Sequence, residues 1–401
     1  MNNFSEKQYQ ESAGRTTLFE RAFCFVWVMV FAYMIVRPVT NNASLIRIIW
    51  IPSLLLLFIL SFRQTISLRF FLELMIPIGI IVFSAVTDSG AADKDHLLAA
   101  FCYVNMFFVV EACTHIKPSR RTFDLIFYSN VLLSLLFLLY TFTPIANRVH
   151  TNEIAWTSKY LVYDMGNSNL AAMFLFSFYC ILLINLAYRK HKIPIVLLMA
   201  ADLYMIYGTN CRSVLLAVVA VTAAYFFIGR RKLPTWIVVF GALSPIWFAG
   251  LYLLLYYAMD GQVVILLNKN LFSGRQNIFI ENLGYITDWK SLLFGNFAKA
   301  GLQNAHNIAV SVLASLGVLG LAAFLGFHLR TMLAVNRQET TAIRTLSLVC
   351  ILGIFIQSSM EATFFLGGFP GIIFLSTFII LSNFDDYAHR AGDPVTGTES
   401  F

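Results

Sequence analysis

Long apolar runs broken by short polar stretches dominate the chain. The runs are 15 to 24 residues long, the length at which a helix crosses the hydrocarbon core of a bilayer. Twelve are read as transmembrane helices: residues 20–37, 45–62, 70–86, 96–113, 123–142, 167–188, 193–208, 213–228, 234–257, 305–327, 345–359 and 362–382. Residues 1–19 are polar and lack the apolar core and small-residue cleavage site of a signal peptide. The first run is therefore expected to remain as an anchor. The pattern predicts an all-α, polytopic integral membrane protein. It has one membrane domain over residues 1–382 and a polar, Gly- and Pro-containing tail over 383–401. No internal repeat stands out.

The polar breaks are unequal. Two exceed what a simple turn needs: residues 143–166, and the 47 residues of 258–304 between the ninth and tenth helices. Loops beyond about 12–15 residues carry function or are disordered. The second loop has internal periodicity, with Phe279, Leu283 and Ile286 at helical spacing. It is expected to hold a short amphipathic helix on the outer face.

Composition fits this picture, at 59% hydrophobic and 12% charged. With the N-terminus in the cytoplasm, the inner segments carry 18 lysines and arginines and the outer ones 9. The clusters "KPSRR", "RKHK" and "GRRK" all fall inside, as the charge bias requires, and both termini are cytoplasmic. The net charge of +7 then reflects topology and attraction to anionic lipid, and needs no nucleic-acid partner. The six cysteines lie in or beside helices without metal-ligand spacing. They read as small hydrophobes in a bundle.

The candidate chemistry gathers at helix starts on the outer side. The sixth, eighth and tenth helices begin there, with Asn167 or Ser168, Asn210 and Asn304 as capping residues. The loop helix would begin at Ser273, and "SGRQ" reads as a capping box with Gln276. Each start presents unpaired N–H groups and a partial positive charge. Two also carry arginine in the first turn, Arg212 and Arg275, where the helix dipole disfavours a cation by up to about 1 kcal/mol. An anion held there would compensate, and guanidinium forks at helix N-termini suit phosphate. The competing reading of Arg212 is an interfacial side chain snorkelling to head groups. His306 stands at the entrance of the tenth helix, as a base for a hydroxyl or as a capping residue. Glu361, in the outer turn "SSMEATF", faces the same side and could orient Arg212 or His306.

Other acids carry less. "DKD" (Asp93 to Asp95) has the form of a metal-holding pair, but Asp95 is expected to cap the fourth helix. The outer loop "RPVTNNAS" has no carboxylate for a metal-dependent transferase, and no carboxylate pair points to hydrolysis. Asp202, deep in a helix, either serves a proton path or pairs with a neighbouring donor. Few breaks interrupt the spans, namely Pro52, Pro77 and "GGFPG". That speaks against a transporter with broken midplane helices.

Five segments together resemble the O-antigen ligase and polymerase superfamily of bacterial inner-membrane proteins. "GNSNLAA" (Gly166 to Ala172, with Asn167 and Asn169) is similar to its G-N-x-N helix start. "TNCRSVLLA" resembles T-x-S-R-x-x-x-L-A, with Cys211 in place of the usual serine. "SGRQNIF" is similar to its S-G-R stretch. "LLFGN" is similar to L-x-G-x-G, although Asn296 and Phe297 follow Gly295 and the second glycine is absent. "HNIAVSVLASLGVLG" fits H-N, nine residues, then G-x-x-G, at His306, Asn307, Gly317 and Gly320.

The resemblance implies about a dozen helices, a large late outer loop, and a saccharide on undecaprenyl diphosphate as donor. It implies that Arg212 and Arg275 hold the diphosphate and that His306 activates or positions the acceptor hydroxyl, with Glu361 beside them. Asn167, Asn169, Asn210, Ser273, Asn304 and Asn307 would line the substrate. No metal and no cofactor are implied. The expected setting is the bacterial cytoplasmic membrane, with membrane lipids, a flippase and a chain-length regulator as partners. A polymerase of O-antigen, capsular or exopolysaccharide repeat units is favoured. A ligase to lipid A–core, or a transporter of the same lipid-linked saccharide, is the alternative.

Overall fold

The computed structural model describes residues 17–40, 43–62, 67–87, 93–146, 161–228, 231–260, 262, 265–266, 269–270, 274–303, 305–366 and 369–384. Ser273, Asn304, most of the first long loop and the C-terminal tail lie outside these residues.

The described residues are almost entirely helical. The first eight helices are α1 (Leu18–Thr40), α2 (Ala43–Ser61), α3 (Leu68–Thr87), α4 (Lys94–Thr114), α5 (Arg120–Thr141), α6 (Ser168–Tyr188), α7 (Lys192–Thr209) and α8 (Arg212–Phe227). Next come α9 (Thr235–Ala242) and α10 (Ser244–Ala258), a two-residue antiparallel ladder of β1 (Ile265–Leu266) and β2 (Lys269–Asn270), and α11 (Arg275–Leu283). The last are α12 (Trp289–Phe294), α13 (Phe297–Ala300), α14 (Ile308–Arg337), α15 (Ala342–Ser358), α16 (Thr363–Leu366) and α17 (Phe369–Ser382). Among the described residues, seven helices are long and apolar enough to cross a membrane: α1, α3, α4, α5, α6, α7 and α14. The bent pair α9–α10 makes an eighth if counted as one span. The protein is thus a helical membrane protein. The remaining apolar runs form shorter helices, α8 and α15 among them.

α6 is the central helix. Almost all of it is buried, and it packs on α5, α7, α8 and α15. That burial explains why it is apolar all round rather than along one stripe. α2, α3, α7 and α10 instead carry exposed leucines, isoleucines and aromatics such as Leu55, Phe83, Leu197 and Leu254, the surface expected of helices that face lipid.

Three spans are interrupted where the apolar pattern runs on. α9 and α10 meet at 57°. Pro245, in the first turn of α10, cannot donate into the preceding turn. The Trp247 indole caps the break by donating to the Phe240 carbonyl at 3.0 Å. α14 kinks at Gly317, whose φ of 65° and ψ of −169° are non-helical. There the backbone of "LLFGN" crosses it, so that a Cβ on Gly317 or Gly295 would collide with backbone of the other segment. The Asn296 N–H bonds the Ala314 carbonyl at 2.8 Å, within the kinked stretch of α14. The twelfth run divides into α16 and α17. The expectation of few broken spans is therefore corrected at Leu243 and Gly317.

Several caps also differ from expectation. Asp93, not Asp95, caps α4, accepting from the Asp95 N–H. Asn210 closes α7 in the left-handed region (φ 53°) instead of opening α8, whose cap position is Cys211. α11 opens at Gly274 (φ 77°) with no side-chain cap, and Gln276 Oε1 is buried without a partner, so no capping box forms. α14 starts on Asn307, three residues beyond Asn304. Asn167 does cap α6, accepting from the Asn169 N–H at 2.9 Å.

At the far end of α14 a buried ion cluster ties three helices. Arg330 meets Glu73 of α3 at 2.9–3.2 Å and Glu111 of α4 at 2.9 Å. Arg69 and His115 flank the two carboxylates.

Candidate functional site

The site forms where the starts of α6, α8, α11 and α14 meet the turn after α15. That turn is held by backbone bonds from Met360 and Glu361 to the Gln357 carbonyl, and it leaves Glu361 only 1% exposed. A buried carboxylate needs donors around it. Glu361 Oε2 accepts from Asn169 Nδ2 at 2.8 Å, pairs with His306 Nδ1 at 2.8 Å, and has Arg275 Nη2 at 3.9 Å. An oxygen that already accepts from an amide is the acceptor toward His306 as well. This pairing places an imidazole N–H on Nδ1, where it donates to the carboxylate.

His306 is held in an unusual backbone state. Its φ is 57°, in the left-handed region, which costs a non-glycine residue about 1–3 kcal/mol. The surrounding bonds enforce it. On one side the Ala305 N–H donates to Ser311 Oγ at 2.9 Å. On the other, Asn307 is fully buried: Nδ2 donates to the Pro245 and Ser359 carbonyls, both at 2.8 Å, and Oδ1 accepts from the Val310 N–H. Asn307 therefore joins the α9–α10 break, the start of α14 and the end of α15. Its polar atoms serve that junction.

Arg212 opens α8 and Arg275 opens α11. Both are partly buried, and they are close enough to repel one another. Two cations at two positive helix ends, with repulsion between them, form a strong field for an anion. Beneath them lies a small apolar cluster separate from the main core: Ala249 and Tyr252 of α10, Phe279 of α11, and Ala305 and Val310 at the start of α14. It fixes α11 against the bundle.

The structure thus brings together His306, Arg212, Arg275, Glu361 and Asn169 from stretches far apart in sequence. Asn167 flanks them with its oxygen engaged in the α6 cap, and Asn210 lies at the end of α7. Ser273 and Asn304 are outside the described residues. Asp202 is elsewhere, buried in α7 and accepting from Ser134 Oγ at 3.1 Å, so of its two readings the paired one is the geometry seen. Two residues near the site carried no signal in the sequence. Tyr252 sits in the apolar run "LYLLLYYA", indistinguishable there from any interfacial tyrosine. Arg37, at the end of α1, donates to the Met165 carbonyl at 3.3 Å beside the "GNSN" start.

No protein-family model, curated protein or solved structure matches the chain.

Proposed function

We propose that this protein is a metal-independent glycosyltransferase of the bacterial cytoplasmic membrane. Its substrates are saccharides on undecaprenyl diphosphate, and it polymerises surface-polysaccharide repeat units outside the cytoplasm. In this reading the twelve apolar runs, short and broken ones included, are twelve spans. The site opens outward and both termini are inside. The observation that carries the proposal is the convergence on Glu361: His306 Nδ1 at 2.8 Å and Arg275 Nη2 at 3.9 Å, with Arg212 beside Arg275 at a second helix start.

The chemistry follows from those groups. The acceptor hydroxyl oxygen attacks the anomeric carbon of the donor sugar. The bond from that carbon to the phosphate oxygen breaks, and its electron pair leaves with the diphosphate. Arg212 and Arg275 stabilise the charge that grows there. The hydroxyl proton passes to His306 Nε2, and Glu361 stabilises the imidazolium through Nδ1–H.

Reconstitution with a defined lipid-linked repeat unit, read on a gel, tests the proposal. A ladder supports the polymerase. Transfer to lipid A–core makes the protein a ligase. Movement of the substrate across the bilayer without a new glycosidic bond overturns both in favour of transport. Transport deserves that arm because the breaks at Leu243 and Gly317 have the character of transporter helices. The glycosyltransferase reading is favoured because the His306–Glu361 pair lies beside both arginines, where a base and an anion-holding group are needed together.

A further inference from the structure

The reading above gives the anion site two cations, and a neutral donor beside them would fix how a phosphate group turns between them. Tyr252 is placed to be one. Its ring is 5% exposed and packs on Phe279 (centroids 5.4 Å apart, planes at 49°) and on Phe248 (5.8 Å, 29°). Phe279 lies one helical turn from Arg275, on the same face of α11. Ala305, in the same cluster, adjoins His306. The elements that carry Arg275 and His306 therefore also brace this ring. Its hydroxyl lies within electrostatic reach of both Arg212 and Arg275. A phenol there adds a hydrogen bond to an anion without adding a third positive charge, and a two-torsion side chain loses little freedom on binding.

We propose that the Tyr252 hydroxyl donates to a non-bridging oxygen of the diphosphate held by Arg212 and Arg275, which makes Tyr252 a substrate-contacting residue. The proposal rests on the anion-site reading and adds a residue to it.

The test uses the full-length protein in detergent with inorganic pyrophosphate as probe, followed by calorimetric titration and by the melting temperature. Tyr252→Phe removes one oxygen and keeps the ring. It is expected to weaken pyrophosphate about tenfold, the cost of one hydrogen bond to a charged group, with the melting temperature of the free protein unchanged. Wild-type affinity in Tyr252→Phe overturns the proposal. Arg212→Lys and Arg275→Lys in the same assay tell the two failures apart. If they lose binding while Tyr252→Phe keeps it, only the tyrosine's role falls. If both lysine variants bind as wild type, or the wild type shows no saturable binding, the anion site falls and the tyrosine's role with it.

Discussion

The two ends of α14 each carry a cluster of charge, about 30 Å apart by helical rise, and the clusters are built on opposite plans. At one end Arg330 stands between Glu73 and Glu111, with contacts of 2.9–3.2 Å. Cation and carboxylates saturate one another, and three helices are locked. At the other end Arg212 and Arg275 open two neighbouring helices, and Glu361 lies near Arg275. The Arg275–Glu361 approach is 3.9 Å, and the acid's shorter contacts are to Asn169 and His306. The first arrangement is a closed clamp. The second sets two mutually repelling arginines beside a carboxylate whose short contacts are to an amide and an imidazole, an arrangement that the proposed transfer would use.

If that distinction is right, substitutions at the two ends should separate into loss of turnover and loss of stability. The largest effect on turnover is expected at His306. His306→Ala should lower turnover roughly 10²–10⁴-fold, the range of a general base, with donor binding largely kept. His306→Asn sharpens the result because it keeps a hydrogen bond but accepts no proton near neutral pH. Equal, severe loss in both variants supports the base, whereas near-normal turnover in His306→Asn reduces the residue to positioning.

Next come Arg212→Lys and Arg275→Lys, each expected to cost about 10–10²-fold in kcat/KM through loss of the planar fork. Normal kinetics in both would show that the excess charge at this end has no bidentate role. Glu361→Gln should cost about tenfold, since a neutral amide no longer stabilises the imidazolium. A variant as active as wild type would break the link between the buried acid and His306. The smallest effect on turnover belongs to the clamp. Arg330→Met should leave kcat per folded molecule unchanged but destabilise the protein by about 3 kcal/mol, because two largely buried carboxylates lose their partner. A melting curve checks this, and unaltered stability would remove the contrast.

The same contrast shows which parts of the molecule were legible in the sequence. Each predicted apolar run contains helix, because the cost of bare backbone in lipid leaves a run of that length little else to form. The breaks were hidden, since Leu243 and Gly317 interrupt stretches apolar on both sides and only Pro245 hints at one of them. The helix starts were seen and Asn167 caps α6 as expected, but the caps of α8 and α14 were placed wrongly for a physical reason. Asparagine suits both an N-cap and a left-handed C-cap. With only Asn210 and Cys211 between α7 and α8, composition does not say which helix it serves. In "NAHN" the left-handed turn at His306 moves the start of α14 from the first asparagine to the second. His306, Arg212, Arg275 and Glu361 were legible as charges out of place. Tyr252 was not, because its importance lies in its neighbours.

Asn307 and Glu361 also set a timetable. The bond from Asn169 to Glu361 spans 192 positions of the chain, and those from Asn307 to Pro245 and Ser359 span 62 and 52. Domains form in the order they leave the ribosome, and contacts this distant close late. The arginines of α8 and α11 are synthesised well before the residue that orients His306. A chain stalled between residues 306 and 361 thus carries both arginines and His306 but lacks the carboxylate that holds the imidazole.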